Sequence, residues 1–216
     1  MTLNHVTFTG VDAKTDLHRV VELSDRYPIE WGVLHSRTSK SQRYPQDMDL
    51  ERIEDFGADR GLMLAAHVCG SVSREFQTRD GWDVVNPYIY GRIQVNSGSY
   101  EDTMDNLRHH LDMFGNGGTR IILQHRDGVF PNDPDFDFLL DRSGGRGVVE
   151  TEFPSARSGT FCGYAGGIGP ENVAEVLENI GVQHRFWIDM ESGVRTDDWL
   201  DLDKCAAVCQ TIWPDQ

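Results

Sequence analysis

Eight short β-rich runs alternate with amphipathic segments along the whole 216-residue chain, and this alternation narrows the fold more than any other feature. The runs span residues 5–10, 29–35, 62–69, 91–96, 119–124, 136–141, 160–165 and 185–189. Helix-like stretches fall at 16–26, 47–59, 100–114, 170–180 and 202–213. Gly115 and Gly181 stand just past two of these, and Pro170 holds a first-turn position, as helix ends and starts require. Strands separated by helices pair in parallel through right-handed crossovers. Eight of them predict an α/β chain folded as one (β/α)8 TIM barrel spanning residues 1–216. The segments 125–135 and 146–159 are too short or too rich in Pro, Gly and Asp for full helices, so the fifth and sixth helices are expected to be degenerate.

Hydrophobic residues make up 38% and charged residues 25%, enough to bury a core and too apolar for disorder. No run approaches the roughly 18 apolar residues of a bilayer span, and the N-terminal stretch lacks the basic flank and apolar centre of a signal peptide. A cytoplasmic location is expected. The net charge of −15 argues against nucleic acid and anionic membrane surfaces as partners, because both select clustered Lys and Arg. The expected partner is a small phosphorylated molecule bound by a monomer or homodimer. Four cysteines without a CxxC argue against a structural zinc site. No cofactor is implied.

In such a barrel the working groups sit at the C-terminal strand ends, and phosphate often binds in the loops after the seventh and eighth strands. Three loops fit. Leu140-Asp141-Arg142-Ser143-Gly144-Gly145-Arg146-Gly147 follows the sixth run, Ala165-Gly166-Gly167-Ile168-Gly169-Pro170 the seventh, and Asp189-Met190-Glu191-Ser192-Gly193-Val194-Arg195 the eighth. Glycine lets a backbone approach a ligand closely and present N–H donors. Gly144, Gly145, Gly147, Gly166, Gly167, Ser192 and Gly193 are therefore expected phosphate-loop residues, with Asp189 beside them. Arg43, Arg142, Arg146 and Arg195 are expected near the same mouth, where positive charge would draw in an anion.

The stretches LLDRSGGRG, YAGGIGPENVAEVL and IDMESGVR, in this order and spacing, resemble the phosphoribosylanthranilate isomerase family of the tryptophan biosynthesis pathway. Ser41-Gln42-Arg43-Tyr44 resembles the family's segment after its second strand, so Arg43 falls on a substrate-contacting arginine. The resemblance implies an Amadori rearrangement of an aminoaldose phosphate into an aminoketose phosphate, with Asp141 as general acid. It also exposes departures. Thr9 stands where the family has a general-base cysteine, Asn96 where it has a histidine, and Glu191 where it has a serine. A hydroxyl does not ionise near neutral pH as an activated thiol does.

Asp12, Glu191, His35, His67 and His125 are the candidates for a relocated base. Mixed His and carboxylate ligands including Asp189 and Glu191 would also suit a divalent cation. Three readings follow: an isomerase of a phosphorylated sugar or aminosugar; a catalytically silent relative that binds or sequesters a phosphorylated metabolite; and a metal-assisted lyase or hydrolase on the same scaffold. His109 and His110 read as helix surface, and the five tryptophans as packing.

Overall fold

The computed structural model describes residues 3–97, 99–115, 118–126, 128–142, 152–155, 159–181 and 184–216. Eight strands, β1 (Leu3–Thr9), β2 (Ile29–His35), β3 (Leu64–Val68), β4 (Arg92–Val95), β5 (Arg120–His125), β6 (Asp137–Leu140), β7 (Cys162–Ala165) and β8 (Phe186–Met190), close into one barrel in sequence order. Each runs parallel to the next, and β8 returns to pair with β1 through Thr7 opposite Asp189. Every strand end lies within two residues of its expected position, because short β-rich runs bounded by turn residues mark strands that are buried on both faces.

The helices are α1 (Leu17–Arg26), α2 (Asp47–Arg60), α3 (Gly70–Phe76), α4 (Met104–Phe114), α5 (Val173–Ile180) and α6 (Leu202–Ile212). Local chemistry sets their ends. The Asp16 carboxylate accepts from the His18 and Arg19 N–H groups at the start of α1, and Asp201 does the same for Asp203 and Lys204 at α6, satisfying donors that a helix start leaves open. Gly61 ends α2 in the left-handed region, with φ +64.

Helix α3 was not expected. Its seven residues, GSVSREF, are too few to show an apolar period. No helix occurs among the described residues between β5 and β6. The stretch 143–151 and residues 156–158, most of the β6–β7 connection, lie outside the described residues. His110 is also corrected: it is fully buried, edge-on to Phe76 at 4.9 Å, with its Nε2 2.9 Å from the Thr78 carbonyl.

Side chains alternate across each strand, and the barrel sorts them. The large apolar core, including Phe8, Trp31, Val33, Ile93, Leu123, Phe138 and Ile188, lies on one face of the sheet. The opposite, inward face carries a small separate cluster of Ile122, Leu139 and Trp187. Much of the rest of the inward face is polar. Arg92 Nε and Nη2 donate to Glu30 at 2.7 and 2.6 Å, Nη2 also donates to His5 Nε2 at 2.7 Å, and Asp137 lies 3.6 Å from Nη1. The guanidinium lies over the Trp187 ring at 4.1 Å. This layer closes the barrel's lower half and forms a floor.

Gly163 makes room for that floor, since a Cβ there would lie 2.1 Å from Trp187 Cε2. Gly163→Ala should therefore destabilise the fold by about 1–3 kcal/mol, the range for overpacking a filled core, read as a lower urea midpoint. An unchanged midpoint would show that Trp187 can yield.

Candidate active site

Above the floor, at the C-terminal strand ends, opens a cavity of about 570 Å³. Its walls carry Thr9, Arg43, Gly166, Gly167, Asp189, Glu191, Ser192 and Gly193, together with Asp141. Most of the expected site residues thus meet in one place. Gly144, Gly145, Gly147 and Arg146 lie outside the described residues.

The loops after β7 and β8 touch backbone to backbone. A Cβ on Gly193 would lie 2.1 Å from the Ile168 carbonyl oxygen, and one on Gly169 would lie 3.1 Å from the Gly193 oxygen. Gly166 and Gly167 take φ +117 and +59, a backbone that side chains other than glycine rarely tolerate. Asn172 fixes the turn by accepting from the Gly169 N–H at 2.9 Å and donating to the Gly167 carbonyl at 2.9 Å. The N–H groups of Gly166 and Gly167 donate to no acceptor among the described residues. Arg126, on the cavity wall after β5, pairs with no acid among the described residues.

Two carboxyl groups face this space from β8 and from the end of β6. Asp189 is buried and accepts from the Thr9 hydroxyl at 2.7 Å. Burial pushes its carboxyl from an ordinary 3.8 up to about 8; the Thr9 hydrogen bond works against that rise, and the charges of Glu191, Glu30 and Asp141 add to it. Asp141 is buried as well, with its Oδ2 accepting from Gln124 Nε2 at 2.8 Å. Glu30, in the floor beneath, goes the other way. Burial works to raise it, but Arg92 and His5 hold it well below the usual carboxylate range.

The far wall, on β3 and β4, carries His67, Cys69, Gln94 and Asn96. Gln94 Nε2 donates to Asn96 Oδ1 at 2.8 Å, and Asn96 Nδ2 to Cys69 Sγ at 3.2 Å. His67 Nε2 and Gln94 Oε1 are buried without a hydrogen-bond partner among the described residues. Burial drops His67 to about 3, so its imidazole is neutral, and pushes the Cys69 thiol up. Gly32 keeps this wall close to β1, because a Cβ there would lie 2.7 Å from Thr9 Oγ1 and 3.0 Å from His67 Nε2.

Arg43 lies at the cavity rim with its charge already engaged. Nη1 donates to Glu191 at 2.8 Å and Nε to Asp198. Asp198 comes from a two-stranded hairpin, β9 (Arg195–Thr196) and β10 (Trp199–Leu200), whose turn holds Asp197 and Asp198 at φ +50 and +66. Two-residue hairpin loops demand that conformation, and Asp tolerates it better than most residues.

Three expectations are corrected. Asp12 does not reach the cavity: its carboxylate accepts from the Leu200 N–H at 2.7 Å, the Thr15 hydroxyl at 3.0 Å and the Lys14 N–H at 3.0 Å. It ties β1 to the β9–β10 hairpin. Arg195 is buried behind the wall, donating to the Gly10 and Asp198 carbonyls at 2.8 and 2.7 Å. Arg142 is not on the cavity wall and donates to the Glu152 carbonyl at 3.2 Å. Of the histidines, His35 bonds to Tyr90 at 2.9 Å and His125 to the Val129 carbonyl at 2.9 Å, leaving His67 alone on the wall. Among the described residues, no three His, Cys, Asp or Glu side chains gather as a metal site would need.

Sequence reading missed Cys69, Gln94, Gln124, Arg126 and Asp198 as wall residues. The signal for the first three was strand parity, since each shares the inward face with a residue already singled out.

Residues 126–211 match the family model described as N-(5'-phosphoribosyl)anthranilate (PRA) isomerase. Among solved structures, the chain is similar to N-(5'-phosphoribosyl)anthranilate isomerase from Pyrococcus furiosus, with a TM-score of 0.60 and 18% identity over 95% of this chain and 96% of that one. A second match, phospho-2-dehydro-3-deoxyheptonate aldolase from Thermotoga maritima, has a TM-score of 0.48 and 14% identity over 99% of this chain and 69% of that one, too remote to bear on the site. No curated protein sequence matches. No helix among the described residues is long and apolar enough to cross a membrane.

The Asp189 shift has a measurable consequence. Between about pH 4 and pH 8 the unfolded carboxyl is ionised while the folded one keeps its proton, so the folded state binds the extra proton and stability falls as pH rises. Below pH 4 and above pH 8 the effect is flat. Relative to Asp189→Asn, the ligand-free wild type should lose stability steadily across that window in urea unfolding. A difference that does not change with pH would contradict the buried, protonated carboxyl.

Proposed function

We propose that this barrel, whose residues 126–211 match the phosphoribosylanthranilate isomerase family model, binds a phosphorylated aminosugar and isomerises it by an Amadori rearrangement. The observation that carries the reading is the facing pair of buried carboxyl groups, Asp141 and Asp189, in one cavity beneath the glycine turns. The phosphate sits against the Gly166, Gly167, Ser192 and Gly193 backbone, whose amides favour an oxyanion without a bulky side chain in the way. Arg126 adds a positive charge on that route.

Asp141 donates a proton to the ring oxygen, the bond from that oxygen to C1 breaks, and the nitrogen lone pair forms an iminium. A base then removes the C2 proton, and the resulting enamine-enol settles as the aminoketose. Asp189 is that base. Its carboxylate is unusually basic because it is buried, matching a general base to neutral pH. Thr9, where the family carries a cysteine, holds Asp189 through its hydroxyl and does not itself take the proton.

Protein supplied with a phosphoribosyl-amine should form the ketose. Asp141→Asn and Asp189→Asn should each lower kcat by about 10²–10⁴, the usual weight of an acid or base. Thr9→Val removes the hydrogen bond that favours the Asp189 carboxylate, so the window over which stability falls with rising pH should extend to higher pH in urea unfolding. The loss of the family's thiol at Thr9 favours one rival: a silent relative that only sequesters the metabolite. Tight binding with no product over long incubation would select it.

A further inference from the structure

The cavity runs from the β7 and β8 turns across to the β3–β4 wall, which lies opposite them in an eight-stranded ring. With a phosphate on the turns and the sugar over the two carboxyl groups, the substituent on the amine falls against the far wall and its rim. We propose that this end selects an uncharged or cationic substituent bearing hydrogen-bond donors, and rejects a carboxylate such as that of anthranilate. The inference rests on the reading above for the placement of the phosphate.

Charge at the rim between the loop after β2 and the β8 turn is the first ground. Arg43 is matched by two acids, Glu191 and Asp198, so the trio carries a net negative charge. An incoming carboxylate would have to displace one of them or sit beside both, and like charges at close range are unfavourable. The second ground is independent of the rim. Gln94 Oε1 is a buried acceptor without a donor, since Gln94 Nε2 is spent on Asn96. His67 Nε2, also buried and unpartnered, belongs to a neutral ring and brings no charge to attract an anion. Buried polar atoms left unmatched are costly. An amide or amine N–H would satisfy Gln94, whereas a carboxylate offers only acceptors.

Three stable, unreactive probes separate the possibilities: ribitol 5-phosphate alone, and N-aryl-5-phosphoribitylamines carrying an ortho-carboxylate or an ortho-carboxamide. Calorimetry on wild-type protein should give the carboxamide at least about tenfold tighter binding than the carboxylate, a modest preference for partly exposed charges. Replacing both acids, Glu191→Gln with Asp198→Asn, should release Arg43 and shrink or reverse the ratio. Equal or tighter binding of the carboxylate by wild type would overturn the proposal while leaving phosphate binding intact. Failure of all three probes, ribitol 5-phosphate included, would overturn the phosphate reading and this proposal with it.

Discussion

One buried guanidinium holds the lower barrel together. Arg92 on β4 donates to Glu30 on β2 and His5 on β1, lies 3.6 Å from Asp137 on β6, and stacks on Trp187 of β8. Five of the eight strands thus meet at one side chain. A charge taken out of water is tolerable only when it is paired and hydrogen-bonded, and here the network also fixes which strands stand opposite one another. An apolar filling of equal volume could be as stable, yet it would leave less to define the floor. Trp187 then fills the space that Gly163 leaves, and the cavity begins where that layer ends.

The same layer shapes the electrostatics above it. Glu30 keeps its negative charge because Arg92 and His5 compensate it, and that charge helps keep Asp189 protonated. Among the described residues no cation forms an ion pair with Asp189, whose carboxylate accepts from the Thr9 hydroxyl. Two acids a short distance apart therefore take opposite protonation states at neutral pH, set by their neighbours rather than by their chemistry. In a chain of net charge −15, among the described residues the groups at the other end that suit an anion are backbone dipoles and Arg126, because Arg43, Arg142 and Arg195 are turned to structural partners. Glycine-rich turns bring N–H donors to an anion without requiring a positive side chain.

Nearly all the strands could be read from the sequence, because their short β-rich runs, buried on both faces, are bounded by turns punctuated by Gly, Asp and Pro. The same pattern located Thr9, Asp141 and Asp189 at strand ends. It could not distinguish residues one step past a strand. Asp12 and Arg195 lie near the right loops, yet the β9–β10 hairpin folds over them and converts both into fasteners between β1 and β8. That hairpin has only four paired residues, too few for any pattern. His110 looked exposed because its neighbour His109 is polar; the pocket formed by Phe76 of the unanticipated α3 explains its burial. Arg43 was recognisable by its setting, but its pairing with Asp198, some 155 positions away, is a tertiary fact that no local spacing carries.

The Thr9 hydroxyl sets part of the cost of ionising Asp189. An anion at that position would be repelled by a buried carboxylate 2.7 Å away. A threonine hydroxyl instead donates to that carboxylate and lowers the cost of ionising it. With Thr9 in place, Asp189 can lose its proton in a buried setting where two anions side by side could not coexist. Glu191 fits the same logic from the rim: it adds negative charge that raises Asp189 further, yet Arg43 holds it away through a direct ion pair. The raised position of Asp189 thus follows first from burial, with the Thr9 hydroxyl working against it and the charges of Glu191, Glu30 and Asp141 adding to it.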